Sequence, residues 1–318
     1  MEKIGIIISS VLILVVICSG MLFGCNVKTT SKNGTTIVCT IFPIYDWAKE
    51  VTQGMDNVNI ILLSKNGSDM HSFQPTVQDL VTIADSDIFI YVGGESEEWI
   101  KDCLAQNPNA DRRDISLMEV LSDVTLSETS EGIANHEEEE TGEVENDEHI
   151  WLSLRRSKIC VEAVAAAIGD KTGSDIPQAN ASSYTALLDE LDKEYSEFFN
   201  DNAITITVAD RFPFRYLTSD YNIKYYAAFS GCTTETDASF ETIIELSKNY
   251  ASTGEKVIYI TESGNEELAK AVMDQAGVDG TIKVLNSMQS VSSKDIDNNA
   301  SYLSYMRDNL ETFKTGGK

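Results

Sequence analysis

The sequence predicts an α/β protein of two parallel-sheet lobes joined by a long connecting helix, with a cleft between the lobes. Three observations carry this reading. From Thr35 the chain alternates short β-branched or aromatic runs with segments of helical spacing, and from Ala203 the same alternation starts again. Between the two halves lies one long amphipathic stretch, and the length of 318 residues with 42% hydrophobic content suits two modest lobes.

The first 25 residues, MEKIGIIISSVLILVVICSGMLFGC, hold a short polar start, an apolar run from Ile4 and a small-residue stop. As a membrane-spanning helix the run is barely long enough, whereas it fits a secretory signal well. The ending Leu22-Phe23-Gly24-Cys25 resembles a bacterial lipobox. That resemblance implies cleavage before Cys25 and lipid on its sulfur, an uncleaved anchor being the alternative. Either way the remainder lies outside the cytoplasm, tethered to a membrane. Residues 1–24 are thus assigned as a lipoprotein signal peptide and 25–34 as a tether.

The N-terminal lobe is assigned to residues 35–176. Its strand signals are TTIVCTIFPI, VNIILL and DIFIYVG, and its helical signals are YDWAKEV, TVQDLVTIADS and EEWIKDCLAQN. The acidic stretch from about Leu126 to Glu148 has no apolar periodicity and is expected to be a mobile insertion. The following WLSLRRSKICVEAVAAAIGDK reads as a helix with Ile159, Val161, Val164, Ala165 and Ile168 along one side. Residues 177–202 form the expected linker helix, with Tyr184, Leu187, Leu188, Leu191, Tyr195 and Phe198 at steps of three and four.

The C-terminal lobe, residues 203–318, offers four strands, ITITVA, IKYYAAF, KVIYIT and TIKVLN. Their nearly continuous apolar character fits strands buried on both faces. The helical segments FRYLTSDYN, SFETIIELSKNY and ELAKAVMDQAG separate them, and SYLSYMRDNLETFK closes the chain.

A formal net charge of -27 argues against nucleic acid or an anionic membrane surface as a partner and makes cations the natural counterparts. Beyond Cys18 and Cys25, the cysteines at 39, 103, 160 and 232 match no zinc-type spacing. An isolated Cys in an apolar segment is more often a small buried hydrophobe, so none of the four is expected to be a ligand.

In open parallel sheets, ligands bind beyond the carboxyl ends of the strands. His71 lies in the loop after VNIILL, ITITVA runs into Asp210, KVIYIT runs into Glu262, and TIKVLN ends at Asn286. His149 closes the acidic insertion and opens a helix. Two imidazoles with one or two carboxylates make a first shell for a divalent transition metal. Each histidine alone is weak, because a lone loop His is more often a solvated or hydrogen-bonded surface residue.

Together these motifs resemble the metal-ion substrate-binding lipoproteins of bacterial ABC importers, the zinc and manganese uptake type. The resemblance rests on the lipobox, the FPIYDWAKEV opening, the loop His71-Ser72-Phe73-Gln74-Pro75, the motif Asp147-Glu148-His149-Ile150-Trp151-Leu152 and the YLSYMRDNLETFK end. It covers the chain from Thr35 to Lys314 in order. It implies two α/β lobes joined by a rigid helix, with a metal cleft between them and four coordinating positions, the first two filled by His71 and His149. Zinc-type members often carry a His- and acid-rich loop before the second histidine, so the insertion around His136 looks like a His-poor collecting loop; a purely solubilising run is the alternative.

The chain departs from the family pattern on its C-terminal lobe. In VADRFPFRYL, aligning Phe214 and Tyr216 with the family's aromatic pair puts Arg211 at the third ligand position, and Arg cannot coordinate. Asp210 is the nearest donor, with capping of a helix near Phe212 as its other reading. Arg211 should then point away or be held by a carboxylate such as Glu262. The fourth position falls on Asn286, a weaker donor, and Glu262 could compensate from a neighbouring strand end.

The function implied is capture of a divalent metal, Zn2+ with manganese or iron as the alternative, and its delivery to an ABC permease without catalysis. The protein would be an extracytoplasmic monomer held at the bacterial cell membrane through lipid on Cys25. A secreted zinc hydrolase would need an open water position and a general base, and the sequence contains no HExxH. A surface adhesin with an incidental metal is a third reading.

Overall fold

The computed structural model describes residues 34–65, 67–134, 145–233 and 237–316. Cys25, at the expected lipobox, and His136 lie outside them. The N-terminal sheet comprises β1 (Thr35–Cys39), β2 (Val58–Leu62), β3 (Ile88–Tyr91) and β4 (Arg113–Ser116), in the order β2-β1-β3-β4. Every pairing is parallel. The strands alternate with α1 (Phe42–Val51), α2 (Val77–Ala84), α3 (Trp99–Gln106) and α4 (Leu117–Val120). The first strand stops at Cys39, short of the expected apolar run, because Pro43 stands in the first turn of α1. There its missing N–H costs nothing and its fixed φ suits the helix. The sequence pattern missed β4 altogether: RDIS is an edge strand, mostly exposed and polar, so it carries no apolar signal.

The two lobes are connected through α5 (Leu154–Thr172) and α6 (Ile176–Asp201). Ser153 Oγ accepts from Arg156 N at the start of α5, and Gly173 ends it with φ 68°. The buried side of α5 is Cys160, Val161, Val164, Ala165 and Ile168, whereas Ile159 is 40% exposed. At 100° per residue, position 159 sits well round the helix from 161, 164 and 168. With 26 residues α6 is about 39 Å long. It buries Tyr184, Leu188, Leu191, Tyr195 and Phe199 but leaves Leu187 48% exposed.

The C-terminal sheet repeats the design with β5 (Thr205–Phe212), β6 (Lys224–Ser230), β7 (Val257–Thr261) and β8 (Thr281–Leu285), ordered β6-β5-β7-β8 and again parallel. Its helices are α7 (Arg215–Asp220), α8 (Phe240–Thr253), α9 (Glu266–Ala276), α10 (Ser293–Asp297) and α11 (Tyr302–Gly316). The register of β5 against β6 shifts between Val208 and Arg211, so Asp210 sits in the irregularity. The last helix, α11, packs on β8 and also on α1 and α6. The largest buried cluster therefore runs from Ile37 and Trp47 through Trp151 and Tyr302 to Val208 and Leu285, with a smaller one in each lobe, around Phe89 and Ile100 and around Ile258 and Leu246.

The described ends of the acidic insertion, up to residue 134 and from residue 145, are less detached than its composition suggests. Ser127 bridges Asn146 in antiparallel fashion, Ile133 bridges Ala227 in β6, and Ala134 N donates to Ala227 O at 2.8 Å. Arg215 Nε donates to Ser127 O. Both described ends of the insertion are thus tied down, with backbone pairing replacing the missing apolar periodicity. Among the described residues no helix is long and apolar enough to cross a membrane.

Candidate metal centre

His71 and His149 reach one point from different elements. His71 occupies a short 3-10 turn, Met70–Ser72, beyond β2, where Asp69 Oδ1 accepts from His71 N at 2.9 Å. His149 precedes a second 3-10 turn, Ile150–Leu152, and is fully buried. Their Nε2 atoms stand 3.1 Å apart.

The other ring nitrogens set the tautomers. Asp147 Oδ1 accepts from His149 N at 2.8 Å and lies 3.1 Å from Nδ1 of the same residue, so it holds Nδ1–H. Ser96 Oγ is 2.6 Å from His71 Nδ1, and Ser96 N donates to Glu148 Oε1 at 2.8 Å. In the tautomer that leaves Nε2 as the acceptor, Ser96 Oγ accepts from His71 Nδ1–H. Both Nε2 lone pairs then face one point, an arrangement that carboxylate or hydroxyl partners give to metal-ligating histidines. The Gln289 amide nitrogen spans the pair, donating to His71 Nε2 at 2.9 Å and to His149 Nε2 at 2.8 Å.

The electrostatics of the rings differ. Burial, the neighbouring His149 and the Arg211 guanidinium lower the proton affinity of His71, opposed by Asp69. Burial also acts against the His149 cation, but Asp147, Glu148 and Glu128 more than offset it and raise its proton affinity. Burial lifts the carboxyls of Glu128 and Glu148 as well.

The two other expected donors, Asp210 and Glu262, are not brought into this group. Asp210 Oδ2 accepts from Thr261 N at 3.0 Å and Thr261 Oγ1 at 2.6 Å, and its Oδ1 accepts from Arg211 N. It lies within β5, which continues to Phe212, and α7 starts later with no side-chain cap, so Asp210 is not a helix cap either. Glu262 accepts from Ser287 N at 2.7 Å, Ser287 Oγ at 2.9 Å and Gln289 N at 3.1 Å. It shapes the loop after β8 that presents Gln289. Asn286 Oδ1 accepts from Met288 N in the same loop. Arg211 is indeed held by a carboxylate, but by Asp69 at 2.6 Å and not by Glu262.

The group that does converge is His71, His149 and Cys232, whose ligand atoms lie within 4.8 Å of one another. Sequence reasoning set Cys232 aside as a buried hydrophobe and passed over Gln289. Both follow the strand-end rule that located the other candidates: Cys232 lies just beyond β6 and Gln289 just beyond β8. A larger cavity of about 330 Å³, lined by Tyr91, Glu97, Leu104, Met118 and Asn146 among others, lies at the end of β3 and β4 and includes none of these three residues.

Residues 37–316 match the family model described as ZnuA, zinc-uptake complex component A, periplasmic. The chain is 28% identical over 323 aligned positions to the zinc-binding lipoprotein AdcA of Streptococcus pneumoniae strain R6, covering 99% of this chain but 61% of that relative. It is 25% identical over 289 positions to the high-affinity zinc uptake system protein ZnuA of Bacillus subtilis strain 168, covering 87% of this chain and 86% of that one. The crystal structure of the Zn(II)-bound ZnuA-like domain of S. pneumoniae AdcA superposes with a TM-score of 0.70 at 25% identity, over 89% of this chain and 99% of that domain. The extent of the family match, its two-lobe fold and the converging histidines agree: this chain belongs to the ZnuA family of zinc-uptake components.

Proposed function

We propose that this protein captures zinc outside the cytoplasm and delivers it to an ABC importer, with His71 and His149 as two of the donors. The observation that carries the reading is the pair of imidazole Nε2 atoms 3.1 Å apart. Two imidazole nitrogens on one tetrahedral zinc, each at 2.0–2.1 Å, stand about 3.3 Å apart, so the pair needs little movement to share a cation. The entering ion replaces the two hydrogen bonds from Gln289. Asp210 and Glu262 act one step back in this reading, Asp210 by joining β5 to β7 and Glu262 by ordering the Gln289 loop. The zinc-binding names of the relatives support the choice of metal. Lipid on Cys25 would hold a monomer at the membrane surface, within reach of a permease. A carrier requires tight but reversible binding, and no reacting group is called for.

The test is zinc titration of the purified protein and its variants. His71→Ala and His149→Ala should each weaken zinc binding by about a hundredfold or more, since structural zinc sites draw roughly 10–16 kcal/mol from about four donors. Far-ultraviolet circular dichroism should stay unchanged. Wild-type affinity in both variants would overturn the assignment, and a stronger response to Mn2+ than to Zn2+ in direct competition would overturn the choice of metal.

A further inference from the structure

We propose that Cys232 supplies a thiolate as the third donor, giving the site a His2Cys set that selects zinc over manganese. This rests on the zinc-capture reading above and deepens it. The usual carboxylate candidates are occupied: Asp210 is spent on Thr261, and Glu262 on Ser287 and Gln289. The guanidinium of Arg211, paired with Asp69, adds a fixed positive charge close to His71. Among the described residues the thiol is the remaining Cys, His or carboxylate group whose ligand atom lies with those of both histidines.

The backbone is shaped to put it there. At Gly231 an added Cβ would fall 2.7 Å from Phe212 O and 3.0 Å from His149 Cε1. Only a residue without a side chain lets the segment after β6 lie so close against the imidazole, and Cys232 is the next residue along. Burial and the neighbouring carboxylates, Glu128 first among them, keep the free thiol protonated, and Glu128, at the tied-down end of the acidic insertion, is the proton acceptor beside it. Coordination breaks the S–H bond, passes the proton to the Glu128 carboxylate, and uses a sulfur lone pair for the metal–sulfur bond. No electron changes hands. Thiolate sulfur favours zinc, whereas manganese prefers oxygen donors, so the set itself discriminates.

The experiment is cobalt substitution of the reduced full-length chain, read by absorption. Bound Co2+ should show a thiolate-to-metal charge-transfer band in the near ultraviolet, lost in Cys232→Ser while visible d–d bands remain. Cys39, Cys103 and Cys160 are buried in β1, α3 and α5 and serve as internal controls. Cys232→Ser should also lower zinc affinity by about a hundredfold, the share of one donor in four. Zinc should protect Cys232 from alkylation by iodoacetamide, and His71→Ala should abolish that protection. Bound cobalt with no charge-transfer band, or unchanged zinc affinity in Cys232→Ser, would overturn the thiolate while leaving zinc capture standing. A wild-type protein that binds neither cobalt nor zinc would overturn both.

Discussion

Asp210 has both carboxylate oxygens engaged before any cation arrives, and that decides what it can contribute. It accepts two hydrogen bonds from Thr261 across the join between β5 and β7. Removing it leaves the Thr261 N–H without its acceptor, and an orphaned buried donor costs about 1–3 kcal/mol. Asp210→Ala should therefore lower unfolding stability by that amount and change zinc affinity less than tenfold. An affinity loss as large as that of His71→Ala would give Asp210 a place on the metal. Sequence alone could not separate these roles, because a strand-end position is legible while the direction of its side chain is set by the neighbouring strand. His71 and His149 were easier to single out, since the chain has only three histidines and both lie in recognisable motifs. Cys232 and Gln289 were missed for the opposite reason: a lone thiol or amide has an ordinary structural explanation almost everywhere. Arg211, read as an obstacle in the third position, is held by Asp69, the residue that also accepts from the His71 backbone.

Among the elements, α1 and α11 meet through a buried carboxylate. Asp46 on α1 accepts from Tyr302 N, the first residue of α11, at 2.8 Å. Burial raises its pKa from 3.8 to about 6, partly opposed by that hydrogen bond. Because the folded state holds the proton more tightly than the unfolded chain, the stabilisation is fully present below about pH 4 and is lost as pH rises through 6. Asp46→Asn keeps an oxygen for Tyr302 N–H and removes the ionisation. It should match the wild type near pH 4 and exceed its stability by about 2–3 kcal/mol at pH 8, measured by urea unfolding at both values. An equal difference at the two pH values would show that Asp46 does not titrate in this way. Among the described residues, nine of the eleven helices and seven of the eight strands left a periodic or apolar trace in the sequence, but the short α4 and α10 did not, nor did β4, since an exposed edge strand has no apolar face to reveal it. The described ends of the acidic insertion depart from the composition reading for a related reason: backbone bridges from Ser127 and Ile133 tie them to their neighbours, and such pairing is indifferent to side-chain periodicity.

Across the whole molecule, two sheets share one core. Trp151 Nε1 donates to Ser287 O at 2.8 Å, Tyr302 OH donates to Trp151 O at 2.7 Å, and Tyr195 OH donates to Met306 O at 2.5 Å. These bonds run between the connecting region, the loop after β8 and α11, so the largest buried cluster belongs to both lobes, while each sheet also carries a smaller cluster of its own. Metal-free protein should accordingly unfold in one cooperative transition, with calorimetric and van't Hoff enthalpies in agreement. Two resolved transitions would show that the lobes melt independently. The two-lobe plan was legible because each half repeats the same alternation; the shared core was not, because it depends on α11 crossing back to α1 and α6. The place of Trp151 has an optical corollary. Its ring centroid lies 5.3 Å from that of His149, and its indole N–H is held by the loop that carries Gln289. An indole so close to the imidazole is within quenching distance of a paramagnetic ion on that ring, and it registers any shift of the loop through its own hydrogen bond. Trp151 is thus a built-in fluorophore for the proposed site, and arrival and departure of an ion there would be timed from its emission without attaching a dye.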